Sequence, residues 1–376
     1  MHYFLYSTDD TFITNQPNLS LKNSGLDEVL EVEKTIQPTS CVGGLGPVLS
    51  RTLIRFDLTA VAAAIAAGEV ISPKFFLNLK CTEAIEVPLQ YTIAAYPINV
   101  AWVAGTGYKF DGRVDSDGAS WKFSDGNVTK WWPTSSLLDC SGGGTWLSDV
   151  GVVHSGSAFG STGALVSTQS FKYQTADVRM DITNIASAWL TGSIQNNGLI
   201  LMHGGDADQI HYGKLRFFSK ESNTIYQPYV DVAWDDSTFS TASIDGSGSL
   251  GELSIRDAVV SLPRLRREYR SADVVRIDVA GRDRYPQKTF TNRLSDYMEP
   301  SYLPRESYYS VLDAESNAVV IPVDSFTKLS CDANGNFFNL DMSGLPQERY
   351  YQISIRCEQS GSISNFVSSL TFKVTR

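Results

Sequence analysis

The stretch LRFFSKESNTIYQPYVDVAWDD, residues 215–236, contains two alternating runs separated by residues that favour turns. Successive side chains of a strand point to opposite faces, so Val230, Val232 and Trp234 share one face of the second run. Phe217 lies on an apolar face of the first run, and NTIYQP supplies turn residues between the two. The pattern predicts a hairpin of two strands whose apolar faces pack in a core.

The same stretch also contains Ser219, Lys220 and Glu221, which are residue types found in active sites. A nucleophilic serine needs a base, and neither a neighbouring histidine nor a Gly-x-Ser-x-Gly elbow accompanies Ser219. Lys220 and Glu221 are neighbours, so on a strand they point to opposite faces. A hydrolase would need a paired carboxylate site, and no motif singles one out. We therefore predict no enzymatic activity, no catalytic residue and no cofactor.

The period-two pattern recurs in short runs bounded by Gly, Asn, Asp and Pro. It predicts strands at residues 28–34, 52–58, 74–81, 89–98, 198–203, 214–220 and 229–234. Two short helices are predicted at 59–67, with Thr59 as the cap and Gly68 as the stop, and at 181–191, ending at Gly192. Residues 1–236 are therefore predicted to form a jelly-roll-like β-sandwich with short corner helices.

The second part of the chain follows a Ser/Gly/Asp-rich seam, which predicts a linker at residues 237–249. Beyond it, about seven short strands and the turn signal DANG at 332–335 predict an immunoglobulin-like β-sandwich module over 250–376. A chain of 376 residues with 42% hydrophobic residues is long and apolar enough for two cores. The predicted fold class is all-β.

Residues 102–168 have no clear period and are rich in aromatic, Gly, Ser and Asp residues. Long ordered loops of this kind are often contact surfaces. Four tryptophans in this region are candidate glycan or partner contacts: Trp121, Trp131, Trp132 and Trp146. Clustered tryptophans also fill loop cores and protein interfaces, so both alternatives stay open here.

The charge of the chain limits its partners. The formal net charge is −10, which disfavours binding to nucleic acid. The one basic cluster, RLRREYR at 264–270, predicts a solvated strand face with Leu265 inward, or a contact with an acidic partner through Arg264, Arg266, Arg267 and Arg270. No apolar run approaches the ~20 residues that span a bilayer, and no signal peptide is visible, so membrane insertion is not expected.

The metal-ligating residue types are scattered. Five cysteines, Cys41, Cys81, Cys140, Cys331 and Cys357, form no CxxC or CxxxH pair, so we expect buried thiols in a reducing cell and no zinc site. Four acidic residues, Asp9, Asp10, Asp235 and Asp236, could gather around Ca²⁺ if the first and last strands pair. Solvated strand ends are the default expectation, and no metal site is predicted.

Six segments in order resemble the DNRLRE-type β-sandwich family across residues 5–235: STDDTFI, TLIRFDL, DITNIASAWLTG, NNGLIL, FFSKES and QPYVDVAW. The central region and the tail from RREYRSADVVRIDVAGRDRYPQKTF onward resemble virion structural proteins of marine contractile-tailed cyanophages. No catalytic residue is carried over from these relatives.

The resemblance implies a non-enzymatic structural component of a tailed-phage virion, in the neck, tail, baseplate or an appendage. The implied partners are other virion structural proteins and further copies of the chain in a symmetric assembly. The alternative is a carbohydrate-binding module or adhesin that recognises host-surface glycans through the loop tryptophans.

Overall fold

The computed structural model describes residues 1–16, 18–38, 45–108, 117–126, 128–131, 142–156, 162–173, 175–204, 210–239, 253–285, 302–332 and 334–376. The chain divides into two compact units. The N-terminal unit comprises Leu5–Glu69 and Lys74–Asp231, and the C-terminal unit comprises Met1–Phe4, Val70–Pro73 and Val232–Arg376. The N-terminal unit ends at residue 231, whereas the sequence pattern predicts that it ends at residue 236. Residues 240–249 of the predicted linker lie outside the described residues.

Strands dominate both units, so the predicted all-β class is confirmed. The elements up to residue 233 are β1 His2–Thr14, β2 Val29–Pro38, β3 Leu45–Phe56, α1 Thr59–Ala66, β4 Lys74–Leu79, β5 Cys81–Ile85, β6 Gln90–Pro97, β7 Phe123–Asp125, β8 Thr129–Lys130, β9 Thr145–Asp149, β10 Val152–Ser155, β11 Ser167–Lys172, β12 Val178–Asp181, α2 Thr183–Leu190, β13 Leu199–His203, β14 Gly213–Phe218 and β15 Tyr229–Ala233.

Eleven of these strands form one continuous sheet. Its main path runs β11-β6-β13-β3-β1-β15-β4-β12, while β2 joins β3 to β14 and β14 joins β5. The end strands β11 and β12 approach each other, and the side chain of Gln169 links them. Its Nε2 donates to the Asp177 carbonyl at 3.2 Å, and its Oε1 accepts from the Arg179 N–H at 2.8 Å. The amide side chain thus completes the ladder where the backbones do not pair.

The predicted hairpin within residues 215–236 is wrong, although both of its strands exist. β14 pairs with β2 and β5, whereas β15 lies between β1 and β4. The chain leaves β14 at Ser219, whose Oγ donates to the Asp27 carbonyl at 2.5 Å and caps a short 3-10 turn by accepting the Glu221 N–H. Asn223 then adopts a left-handed conformation, with φ of 52°, and redirects the chain to another part of the sheet.

Both corner helices are present, but Thr59 is not the cap that the sequence predicts. Asp57 accepts the backbone N–H of Thr59 at 2.9 Å and its hydroxyl at 2.5 Å. Gly68 and Gly192 end the two helices with φ of 78° and 72°, as predicted for residues in the left-handed region.

The C-terminal unit contains the remaining strands: β16 Ala258–Ser261, β17 Glu268–Arg270, β18 Val274–Asp283, β19 Glu306–Asp313, β20 Val319–Ile321, β21 Ser330–Asp332, β22 Gly335–Asp341, β23 Tyr350–Gln359 and β24 Ser362–Thr375. They form one sheet in the order β16-β18-β22-β21 and a second in the order β17-β24-β23-β19-β20. β17 runs parallel to β24, and all other pairs in these two sheets are antiparallel.

This strand order is that of an immunoglobulin-like sandwich. Tyr351, the second residue of β23, donates its hydroxyl to the Pro346 carbonyl at 2.6 Å, which is the tyrosine corner typical of such folds. Tyr309 of β19 stacks on Phe338 of β22 with ring centroids 4.1 Å apart, joining the two sheets in the core. β21 and β22 pair on either side of the predicted DANG turn.

Candidate functional site

The described tryptophans of residues 102–168 are buried in the N-terminal unit. Trp102, Trp121, Trp131 and Trp146 are each at most 3% exposed, and they pack with residues of β1, β3, β6 and β13. Trp121, Trp131 and Trp146 therefore offer no exposed ring for sugar stacking or partner contact, so these three candidate contacts are wrong. β9 of this region contacts β6 of the large sheet. Trp132 lies outside the described residues.

Arg51 of β3 is a buried cation within this tryptophan core. Its guanidinium lies 5.1 Å from the ring centroid of Trp121 and 4.8 Å from that of Trp146. Nη1 and Nη2 donate to the carbonyls of Gly143 and Gly156 at 2.5 and 2.7 Å. Burial lowers the pKa of Arg51 to about 9. At neutral pH the side chain stays charged and ties two loop segments to the sheet.

Asn23 holds another part of the same loop region. Its Nδ2 donates to the carbonyls of Ala104 and Ala119 at 2.6 and 2.9 Å, and its Oδ1 accepts the N–H groups of Gly25 and Gly107 at 3.0 and 2.8 Å. A Cβ on Gly107 would lie 2.0 Å from the Asn23 carbonyl oxygen. Glycine is therefore required for this close approach. In the sequence, the local sign of this close packing around Asn23 is the group of glycines Gly105, Gly107 and Gly118.

A serine and a histidine that sequence analysis did not pair lie together in the β9–β10 hairpin. Ser148 Oγ lies 2.8 Å from His154 Nε2, because the register of the hairpin places their strands side by side. A nucleophile–base pair also needs a third group that orients the base. Trp146 stacks on His154 with ring centroids 6.4 Å apart, and no carboxylate of the described residues orients the imidazole. The pair fits a structural hydrogen bond.

Two buried carboxylates on β2 are bound by cations of β14. Lys214 Nζ lies 3.2 Å from both Glu31 and Glu33, and Arg216 Nε lies 3.3 Å from Glu31. Ser50 adds a hydroxyl at 2.9 Å from Glu31. Each carboxylate thus has charged and neutral partners inside the sheet, as buried ions require. The network connects side chains of β2, β3 and β14.

The four acidic residues considered for Ca²⁺ have separate partners. Asp9 pairs with Arg55 at 2.7 Å, Asp235 accepts the Ser237 N–H at 2.9 Å, and Asp236 pairs with the Met1 ammonium at 3.0 Å. Asp10 accepts the Lys220 N–H at 2.9 Å, and burial raises the pKa of its carboxyl to about 6 against the lowering effect of that bond. Across the described residues, no group of three or more His, Cys, Asp or Glu side chains is placed to hold a metal.

The arginines of RLRREYR are exposed, as a solvated segment requires. Only Glu268–Arg270 forms a strand, however, and Pro263 and Arg264 lie in a turn, so the predicted continuous strand is wrong. Tyr269 is buried and its hydroxyl accepts the Arg266 N–H at 2.8 Å, while Leu265 is only half-buried. Contact of Arg264, Arg266, Arg267 and Arg270 with an acidic partner stays a prediction.

A groove that the sequence did not indicate lies along β6 and β11. Its cavity of about 440 Å³ is lined by aromatic and neutral polar residues, including Tyr91, Thr92, Ser170 and Tyr212, and Lys172 is the single charged residue among the described ones that line it. Tyr91 stacks on Phe171 with centroids 4.7 Å apart. Burial raises the pKa of Tyr91 to about 12, so its hydroxyl is protonated at neutral pH.

His203 lies buried between the two tyrosines of this groove. Its ring stacks on Tyr212 at 5.5 Å and meets the edge of Tyr91 at 6.2 Å. Burial and the charge of Lys34 lower the pKa of His203 to about 3, against a smaller opposite effect from the backbone of Val32. The imidazole is therefore neutral and supports the tyrosines by packing.

Of the cysteines, Cys331 and Cys357 are buried free thiols and Cys81 is a half-buried free thiol. Cys41 and Cys140 lie outside the described residues. Within the described part of the chain, no helix is long and apolar enough to span a bilayer.

No family model matches the chain, and no curated protein matches it. Among solved structures, it is similar to a DUF4785 family protein from Legionella pneumophila, with 11% sequence identity and a TM-score of 0.18. The match covers 100% of this chain and 65% of that chain, so this chain spans less than two thirds of the length of that protein. Similarity at this level supports no conclusion about fold or function.

Proposed function

We propose that this protein is a non-enzymatic structural component of a tailed-phage virion, in the neck, tail, baseplate or an appendage, and that it acts by assembly. The observation that carries the proposal is the burial of the tryptophans in the described part of the long loop region. Trp121, Trp131 and Trp146 are buried, and Arg51 and Asn23 bind loop carbonyls from within the N-terminal unit. Loops fixed in this way form a preorganised surface for docking neighbours.

The chemistry of the polar side chains supports the same proposal. Ser219 caps a turn, Glu31 and Glu33 share a lysine, and Asp10 binds a backbone N–H. These residue types could serve catalysis elsewhere, but here each has a structural partner. The sequence resemblance to virion proteins of contractile-tailed phages points to the particle as the place of assembly.

The test is to count this protein in washed, intact particles by quantitative mass spectrometry against the major capsid subunit. The proposal predicts a fixed, low copy number that matches a symmetric position of about three, six or twelve copies. Particles that are complete and infective but free of this protein would contradict it.

The groove along β6 and β11 favours a second candidate function, binding of a host-surface glycan. Half-buried tyrosines beside threonine and serine hydroxyls suit a polyhydroxylated ring, and the described lining residues include no carboxylate that would repel an acidic sugar. This candidate replaces the loop tryptophans with Tyr91 and Tyr212 as the contact residues.

The glycan candidate predicts that Tyr91→Ala and Tyr212→Ala abolish retention on immobilised host-envelope glycans. Tyr173→Ala is the matched control, because Tyr173 is 79% exposed and is not among the residues lining the groove. Equal retention of all three variants and the unmodified protein would place any glycan contact elsewhere, and no retention of the unmodified protein would eliminate the candidate.

A further inference from the structure

The last strand of the C-terminal unit presents an open edge. β24 pairs with β23 along one side, whereas β17 covers its other side only at Lys373–Thr375. Within the described ranges, no strand pairs with that side of Ser362–Phe372. A strand edge of this length exposes a row of backbone donors and acceptors that can bind another strand.

The open edge lacks the charges that normally prevent pairing. The sequence SGSISNFVSSLTF, residues 360–372, contains no charged residue and no proline. The ladder with β23 shifts register between Val367 and Thr371, so regular pairing is available over Ser362–Val367. Ile363 and Val367 in this stretch are 55% and 56% exposed. Natural edge strands are usually protected from pairing by Lys, Pro or bulges, and of these only the bulge is present in residues 360–372.

We propose that the β24 edges of two copies of this chain pair antiparallel about Asn365. In that register Ile363 of each copy faces Val367 of the other copy, and the two Asn365 residues face each other. A two-fold interface pairs a surface with the same surface of a second copy. This edge is neutral and its side chains have a near-palindromic order, so a second copy can pair with it without like-charge repulsion.

The open stretch is bounded at both ends by defined features of the C-terminal unit. It lies between the β23–β24 turn at Ser360–Gly361 and the start of the β17 pairing at Lys373. Antiparallel pairing about Asn365 places the partner's β17 beyond the β23–β24 turn of the first copy. The two five-stranded sheets then form one continuous sheet. This inference deepens the proposed assembly function and rests on it for its biological role.

The experiment compares the full chain with charge variants by sedimentation velocity. The unmodified protein is expected to show a dimer of twice 41.3 kDa. Ile363→Lys with Val367→Lys, and separately Ile363→Glu with Val367→Glu, are expected to halve the mass because like charges face each other. An equimolar mixture of the two double variants is expected to restore the dimer, since every lysine then faces a glutamate.

Val319→Lys is the matched control, because Val319 is 60% exposed on β20 at the opposite edge of the same sheet. This variant is expected to remain dimeric. A monomeric unmodified protein at every soluble concentration, or a dimer that survives both double substitutions, would overturn the inference. The mixing experiment excludes unfolding as the cause of a lost dimer. Neither of these negative results would alter the copy number of the protein in phage particles. The dimer inference can therefore fail while the proposed virion function stands.

Discussion

Asn23 contributes four hydrogen bonds from a side chain that is 1% exposed. Its partners lie up to 96 residues away in the chain, so one amide connects the first part of the N-terminal unit with the loop region. The sequence NSG at 23–25 is typical of an exposed turn. The buried role was not predictable because the carbonyls of Ala104 and Ala119 are brought to it by the fold.

Replacing Asn23 by Ala should destabilise the protein. Two backbone N–H groups and two carbonyls would lose their partner in a buried setting, which costs about 3 kcal/mol or more. Urea unfolding monitored by tryptophan fluorescence measures the change in the free energy of unfolding. Asn99→Ala at an exposed position is the control and should change it by less than about 0.5 kcal/mol. Equal effects of the two substitutions would contradict the structural role of Asn23.

Asp10 should make stability depend on pH. Burial raises the pKa of its carboxyl from 3.8 to about 6 in the folded state, so the folded protein binds this proton more tightly than the unfolded chain. The resulting stabilisation is fully present below about pH 4 and is lost as the pH rises through 6, and its size is about 3 kcal/mol.

The comparison of Asp10→Asn with the unmodified protein tests this pH dependence. Between pH 3 and 7 the unfolding free energy of the unmodified protein should fall by about 3 kcal/mol relative to that of the variant. Chemical denaturation at several pH values gives both curves. Parallel curves would show that Asp10 titrates alike in the folded and unfolded states.

At the scale of elements, Gln169 closes the end of the large sheet. Gln169→Leu keeps roughly the size of the side chain, but leucine can neither donate to the Asp177 carbonyl nor accept the Arg179 N–H. We expect a loss of about 1 kcal/mol and faster hydrogen exchange at the Arg179 amide, which now bonds to Gln169. Gln90→Leu, at an exposed position on β6, should leave the exchange of Arg179 unchanged. Unchanged exchange in both variants would show that the side chain does not link β11 to β12.

Most strands of the N-terminal unit could be predicted from alternation, and their pairing could not. Phe217, Val230 and Val232 are buried as their faces predict. Their strands occupy different parts of the sheet because the turn at Ser219 and Asn223 redirects the chain, which local pattern does not encode. The tryptophans illustrate the same difficulty, since clustered aromatic residues suit a loop core and an exposed platform equally well.

For the whole molecule, composition and turn signals were sufficient to predict two all-β parts and the immunoglobulin-like strand content of the second. They did not predict that Met1–Phe4 and Val70–Pro73 belong to the C-terminal unit. That assignment depends on contacts between residues far apart in the chain, such as the bond of the Met1 ammonium to the Phe326 carbonyl at 2.5 Å. The groove along β6 and β11 is likewise a product of strand pairing rather than of any local motif.

Electron cryo-microscopy of intact particles would show directly whether this chain is a building block of a phage particle. The proposed function predicts density for both β-sandwich units at symmetry-equivalent positions of the neck, tail, baseplate or an appendage. Trp121, Trp131 and Trp146 are expected inside the N-terminal unit. Fully resolved particles in which every one of these positions is occupied by other proteins would contradict it.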